Sequence, residues 1–390
     1  MRRDVFRGYR REDGSVGVRN HVLVLPTSVC ASDVAEKVAR LVPGCVTFHN
    51  QSGCSQLACD QALTTGVLVG YAANPNVAGV LVIGLGCEGC QASLVADAIR
   101  RRTYKPIDCL VIQEVGGTIA TIDEGVRLAR RLAARAAKAK RVECPVSELV
   151  LGTNCGGSDA TSGLGSNPLL GRLSDMLVGA GATMVLCETT EFVGGEQVLA
   201  RRAATPEVAA RILEAVRGWE DYAHRFGEEI RDGNPSPGNV AGGITTLEEK
   251  SLGCIHKGGH APINAFYEYA ESIGRHEGLV VMDTPGNDPT SMAGIIAGGC
   301  QIVVFTTGRG TPTGNPIAPV YRMTANPDTY QCMRDNTDYD CSETIFGPRT
   351  MDALASELWE NVLDVCDGRE TRAESLGFVE TALPHLCNFM

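Results

Sequence analysis

The feature that most constrains this chain is a recurring unit: a short unbroken apolar run, a glycine-rich polar turn, then a helix-forming segment. Runs at 21–25 (His-Val-Leu-Val-Leu), 80–83, 108–112, 149–152, 183–187, 279–283 and 302–306 do not alternate apolar with polar residues. Strands of that kind are covered on both faces, and the intervening helices supply the cover. The expected fold class is therefore α/β, with two Rossmann-like parallel-sheet domains carrying helices on both faces. A chain of 390 residues exceeds one ordinary core. The pattern restarts after Cys144-Pro145, so the expected division is an N-terminal α/β domain over 1–145 and a C-terminal α/β domain over 146–390. Helices are expected at 32–41 (capped by Ser32), 57–71, 92–102, from Thr118, from Asn167, and at 196–202, 206–228, 328–334 and 351–366, with a further short strand at 46–49.

The stretch 233–250 interrupts this rhythm. Its prolines and glycines, in Gly233-Asn234-Pro235-Ser236-Pro237-Gly238-Asn239, exclude a regular helix or central strand on this reading. It is expected to be an ordered loop inside the second domain, forming a wall of the substrate site. Thr245 or Thr246 then caps the following helix.

Charge and cysteine usage narrow the function. With 35 basic against 46 acidic residues the net charge is −11, which argues against nucleic acid as the partner. The basic run 127–141 reads as the wet face of a helix. The polar start lacks a signal-peptide core, and no apolar run reaches the ~18 residues of a membrane span, so a cytoplasmic, membrane-free protein is expected. Sixteen cysteines spread over so long a chain read as reduced thiols, some near a metal or substrate.

In open parallel sheets, ligands bind beyond the C-terminal strand ends. Here those ends are 26–30, 49–56, 84–91, 154–159, 188–191, 283–288 and 306–315, and their Cys, His, Glu, Asp, Asn, Thr and Arg residues point to a small-molecule site. His49, Cys54, Cys87 and Cys155 are scattered donors of the kind that make one mononuclear metal site, or else ordinary packing residues. Cys87-Glu88-Gly89-Cys90 has CxxC spacing without a second pair, which leaves a redox pair as an alternative. The turn Thr307-Gly308-Arg309-Gly310 can hold an anion through backbone N–H groups, with Arg309 gripping a carboxylate, or can be a structural turn with a surface arginine. Glu188 and Glu191 are candidates for base, metal ligand or helix cap, and His256 and Lys257 for acid–base work.

Several motifs resemble the altronate/galactarate dehydratases, a family that includes the large subunit of sulfolactate sulfo-lyase. They are Gly8-Tyr9-Arg10-Arg11-Glu12-Asp13-Gly14 with Gly17-Val18-Arg19-Asn20, Gly84-Leu85-Gly86-Cys87-Glu88, and Cys155-Gly156-Gly157-Ser158-Asp159. The series continues through the 233–250 stretch, Lys257-Gly258-Gly259, Asp283-Thr284-Pro285-Gly286, and Phe305-Thr306-Thr307-Gly308-Arg309-Gly310-Thr311-Pro312. Asn50 stands where the family pattern carries histidine, with His49 displaced by one, and Asp340-Cys341-Ser342 replaces an Asn-Ala-Gly-like element.

The resemblance implies the catalytic subunit of a metal-dependent dehydratase. It would convert a sugar acid such as altronate or galactarate to a 2-keto-3-deoxy acid. The implied cofactor is iron(II), with manganese(II) or another divalent metal as alternatives. By the same resemblance His256, Lys257, Glu188 and Glu191 are the catalytic candidates. Arg309, Thr307, Gly308, Gly310, Ser158, Asp159 and Asn239 hold the substrate, and Cys155, Cys87, Cys54 and His49 the metal. Family members often begin with a small β-rich SAF-like domain, so a separate small subunit is expected to supply it, in a homo-oligomeric assembly. The alternatives are a sulfolactate sulfo-lyase and a non-catalytic sugar-acid-binding protein.

Overall fold

The computed structural model describes residues 2–387. In chain order the first strands are β1 (Val5–Arg10), β2 (Val16–Gly17), β3 (His21–Pro26), β4 (Cys45–Val46), β5 (Val77–Gly84), β6 (Ile107–Val111) and β7 (Val142–Pro145). The later ones are β8 (Val150–Gly156), β9 (Thr183–Leu186), β10 (Ile263–Tyr267), β11 (Gly278–Met282), β12 (Ile302–Thr307), β13 (Val320–Thr324) and β14 (Tyr339–Asp340). They form a four-stranded parallel sheet in the order β4-β3-β5-β6 and a seven-stranded parallel sheet in the order β10-β11-β9-β8-β12-β13-β14. The α/β class with helix-covered parallel sheets is thus what the apolar runs encode. In the larger sheet the chain leaves β8 toward β9 on one side and later adds β12 on the other, which makes the C-terminal end of β8 a switch point.

Local departures from the sequence reading have plain causes. β1 pairs antiparallel with β2 and β7 in a small third sheet, and β10, β13 and β14 extend the large one; these strands are short or lie between polar turns. The helix expected from Ser32 runs Val29–Leu41, and Ser32 is buried within it, its hydroxyl accepting from Asn50 N at 3.0 Å. Within 233–250 the chain is not helix-free. Ile230–Gly233 and Pro237–Ala241 are short helices, the second closed by a reciprocal cap between Ser236 and Asn239. Pro237 sits in the first turn, where its missing N–H costs nothing. Thr246 caps Leu247–Ile255 by accepting from Glu249 N at 3.1 Å. No helix among the described residues is long and apolar enough to cross a membrane.

One apolar cluster runs through both parallel sheets. Its link is the helix Asp288–Gly298, unrecognised in sequence because it lacks a polar face: every residue from Thr290 to Gly298 is buried. It packs on Ala58–Ala73, and Gly70 permits the contact, since a Cβ there would lie 2.5 Å from Ala297 O. Buried side chains complete the join. Asn74 Nδ2 donates to Ile296 O (2.8 Å) and Cys300 O (2.9 Å). Asn76 Nδ2 donates to Gln301 O (2.8 Å) and Ile317 O (3.0 Å), while its Oδ1 accepts from Val18 N and Arg19 N. Arg19 in turn forms a two-bond pair with Glu374 and donates to Val365 O and Arg369 O. The Gly17-Val18-Arg19-Asn20 motif is therefore a staple across the molecule.

Truncating Asn76 to alanine strands two buried N–H groups and two buried carbonyls. Asn76→Ala is expected to lower stability by about 3 kcal/mol or more, read as a reduced urea midpoint.

Candidate active site

The candidate site begins with a buried ion pair beneath the end of β8. Glu188 follows β9 with φ of 68°, a left-handed conformation that a non-glycine residue adopts only when its surroundings impose it. Its N–H donates to Thr284 Oγ1 at 2.7 Å, which ties the turn to the end of β11. The carboxylate then points under β8. Oε2 accepts from Cys155 N at 2.9 Å and from Lys257 Nζ at 2.5 Å, and Oε1 accepts from Asn154 Nδ2 at 3.3 Å. Lys257 Nζ also donates to Cys155 Sγ at 2.9 Å, and both Glu188 and Lys257 have no exposed surface.

The charge states follow from the donors. Burial works against the Lys257 ammonium, but Cys155, Cys254 and Glu188 outweigh it and hold its pKa well above the ordinary lysine value. Burial and Cys155 push the Glu188 carboxyl up, while Lys257 pulls it back and the two close donors on Oε2, Cys155 N and Lys257 Nζ, favour the charged form. Its hydrogen bond to Cys254 and its burial push the Cys155 thiol well above the thiol range.

Above this pair opens a cavity of about 360 Å³ lined by Cys155, Gly156, Gly157, Ser158, Glu191, Gly233, Asn234, Ser236, Asn239, Lys250, Gly286 and Asp288. Lys250 pairs with both oxygens of Glu191 at 3.0–3.1 Å and donates to Asn234 Oδ1 at 2.7 Å. Burial opposes the Lys250 charge and Glu191 outweighs it, raising the pKa. Asp288 accepts from Asn154 Nδ2 at 3.2 Å, and burial pushes its carboxyl up to about 7. Gly156 makes room for it, since a Cβ there would lie 2.3 Å from Asp288 Oδ2.

The residues singled out in sequence divide between four places. Glu191, Ser158 and Asn239 line the cavity, where Asn239 Nδ2 holds Ser158 O at 2.9 Å. Glu188 and Lys257 lie below it. His256 is exposed and lines a neighbouring cavity of about 220 Å³, which shares Ser158 and Lys250 with the first. Asp159 is occupied by Ser162 N, Thr161 Oγ1, Ser162 Oγ and Asn326 Nδ2. Thr307 Oγ1 accepts from the N–H groups of Arg309, Gly310 and Thr311, and the loop packs against Gly157 with Arg309 exposed. Thr307, Gly308, Arg309 and Gly310 are not among the residues lining the larger cavity.

The four candidate metal donors are not gathered. Cys155 lies with Glu188 and Cys254, their ligand atoms within 4.8 Å of one another, and His49 lies with Asp33 and Glu36. Cys54 and Cys87 belong to neither group. Cys87 is exposed, whereas Cys90 is buried against Thr65 and Gln61, and Glu88 staples their loop to Thr27 and Gly86. Residues not anticipated from sequence are Asp288, Lys250, Asn154 and Cys254. The strand end followed by Asn287-Asp288-Pro289, a helix-start pattern, was the available signal for Asp288.

The buried Cys155–Glu188–Cys254 group has the donor chemistry and spacing of a single-ion site, but the Lys257 ammonium already bonds two of its three donors. In this arrangement the set does not fit an added divalent ion. Replacing Lys257 is expected to release it. Lys257→Ala should develop a cobalt(II)–thiolate charge-transfer band that wild type lacks, that a further Cys254→Ser change weakens, and that changing both Cys155 and Cys254 to serine abolishes.

Known proteins resemble this chain along nearly its whole length. Residues 146–388 match the family model for the C-terminal region of D-galactarate/altronate dehydratase, and 8–137 match its second-domain model. Altronate dehydratase of Bacillus subtilis is 36% identical over 97% of this chain and 77% of its own length. Altronate dehydratase of Escherichia coli is 34% identical over 96% and 76%. The (2R)-sulfolactate sulfo-lyase subunit beta of Chromohalobacter salexigens is 37% identical over 98% and 97%. The chain therefore belongs to the D-galactarate/altronate dehydratase family, and it is a lyase.

Proposed function

We propose that this chain dehydrates a sugar acid of the altronate or galactarate type to a 2-keto-3-deoxy acid. The observation that carries this reading is the composition of the 360 Å³ cavity: two carboxyl groups and one ammonium beside four neutral hydrogen-bonding side chains, Ser158, Asn234, Ser236 and Asn239. Such a set suits a polyhydroxy acid. The proton alpha to a carboxylate is weakly acidic, so removing it requires a base and a cation for the enediolate that forms. Lys250 supplies the cation against the substrate carboxylate. Glu191, held beside Lys250, takes the C2 proton, and the hydroxyls and amides orient the rest of the chain. The Lys257–Glu188 pair fixes Cys155 and Asn154 from below without entering the cavity. No step here runs through the divalent metal that the resemblance implies.

The second reading is a sulfo-lyase. It is supported by the 37% identity to the sulfo-lyase subunit beta, no lower than the 36% and 34% to the two altronate dehydratases. That reading also brings a separate small subunit as partner.

The test is an anoxic assay with altronate, galactarate and (2R)-sulfolactate. Iron(II) or manganese(II) is supplied, with and without a candidate small subunit. Keto acid formed without sulfite is the expected result, and sulfite from sulfolactate alone would favour the second reading. Glu191→Gln is expected to lower kcat by roughly 100-fold or more. Lys250→Met is expected to raise KM as well as lower kcat, because it touches the substrate before and during reaction.

A further inference from the structure

We propose that Asp288 is the general acid that protonates the departing C3 hydroxyl. The inference rests on the dehydratase reading and goes beyond it, since that reading requires an acid and names none. Asp288 lines the same cavity as Glu191 and Lys250 but approaches from another element, the first turn of Asp288–Gly298 rather than the turn after β9. Two directions of approach let a base and an acid reach adjacent carbons of one substrate at the same time. Its position is fixed at one oxygen, with room left at the other. Asn154 Nδ2 holds Oδ1 while also reaching Glu188 Oε1, and Gly156 leaves open the space beside Oδ2.

The surrounding charges suit the role. Glu188, Glu191, Lys250, Lys257 and Arg322 bear on Asp288 from the neighbouring elements. Burial is the largest influence, and Glu191 adds to it, while Lys257, the hydrogen bond from Asn154 and Lys250 pull the other way. The resulting value of about 7 keeps a carboxylic acid available at neutral pH. In the step itself, Glu191 removes the C2 proton and the C2–C3 double bond forms. The C3–O bond breaks with its electron pair on oxygen, which leaves as water carrying the Asp288 proton. The enol then ketonises by taking a proton at C3, and the two carboxyl groups return to their starting states by exchange with solvent.

The test compares Asp288→Asn with wild type on an accepted hydroxy acid and on its 3-chloro-3-deoxy analogue, whose chloride leaves without a proton. The expected result is a loss of roughly 100-fold or more in kcat with the hydroxy acid, with KM little changed. With the chloro analogue the variant should stay within a few-fold of wild type, which also shows that it is folded. The group must be protonated to act, so wild-type kcat/KM should fall as pH rises through about 7, and that limb should vanish in the variant. Equal losses on both substrates, or no loss on either, would overturn the assignment of Asp288 alone. Wild-type protein that releases no water from any sugar acid would overturn the dehydratase reading with it.

Discussion

Everything at the candidate site is arranged around the buried contact between Lys257 and Glu188. Taking two charges out of water costs several kcal/mol per ion, and the cost is recovered only where geometry is good and remaining hydrogen bonds are satisfied. Here both conditions recruit backbone. Glu188 needs Cys155 N and Asn154, so β8 must end where it does, and its own N–H needs Thr284, which sets the end of β11. Lys257 arrives from the far side, where Ser174 Oγ donates to its carbonyl at 2.7 Å. The left-handed backbone at Glu188 is the conformation that lets a residue leaving β9 turn beneath its neighbour. One ion pair thereby registers the ends of three strands.

Because those charges cancel below the floor, the cavity presents only the groups that stand above it. Glu191 and Asp288 differ in environment although both are carboxyls. Glu191 has an ammonium against its oxygens, whereas Asp288 accepts from the neutral amide of Asn154. Two like groups in unlike surroundings are how one site holds a base and an acid together at neutral pH. Lys250 reaches this position because Thr246 starts its helix one turn earlier, so the 233–250 stretch supplies both a wall and a cation. Its short helices matter for the same reason. The Ser236–Asn239 cap orients Asn239 toward Ser158 and fixes the mouth of the cavity to the end of β8.

The sequence disclosed the architecture better than the chemistry. Apolar runs that do not alternate identified β3, β5, β6, β8, β9, β11 and β12, since a strand buried on both faces cannot hide its composition. The edge strand β4 overlaps the start of the strand expected at 46–49 but is only two residues long, and β14, equally short, carries no such signal. Residues at strand ends were correctly expected to be polar, yet which of them meet depends on sheet order. β8 lies between β9 and β12, and this order brings Asn154 and Cys155 to Glu188 while leaving His49, Cys54 and Cys87 on the four-stranded sheet. Spacing along the chain contains no such information. Asp159 and Thr307 belong to prominent motifs for a further reason: they satisfy several N–H groups at tight turns, a demand as strict as catalysis.

The family spans leaving groups of very different basicity, and this bears on what its cavities must contain. Sulfite leaves as a stable anion, whereas hydroxide is too basic to leave without a proton, so elimination of water demands an acid that elimination of sulfite does not. A buried carboxyl kept available for protonation is costly to maintain, because desolvation penalises its charged form while nearby ammonium groups favour it. This chain maintains one at Asp288, against the pull of both Lys250 and Lys257, and dispenses with a side chain at Gly156 to admit it. Such an arrangement gains nothing for a sulfite-releasing enzyme. On the proposal that Asp288 is the general acid, this carboxyl favours water over sulfite as the group expelled.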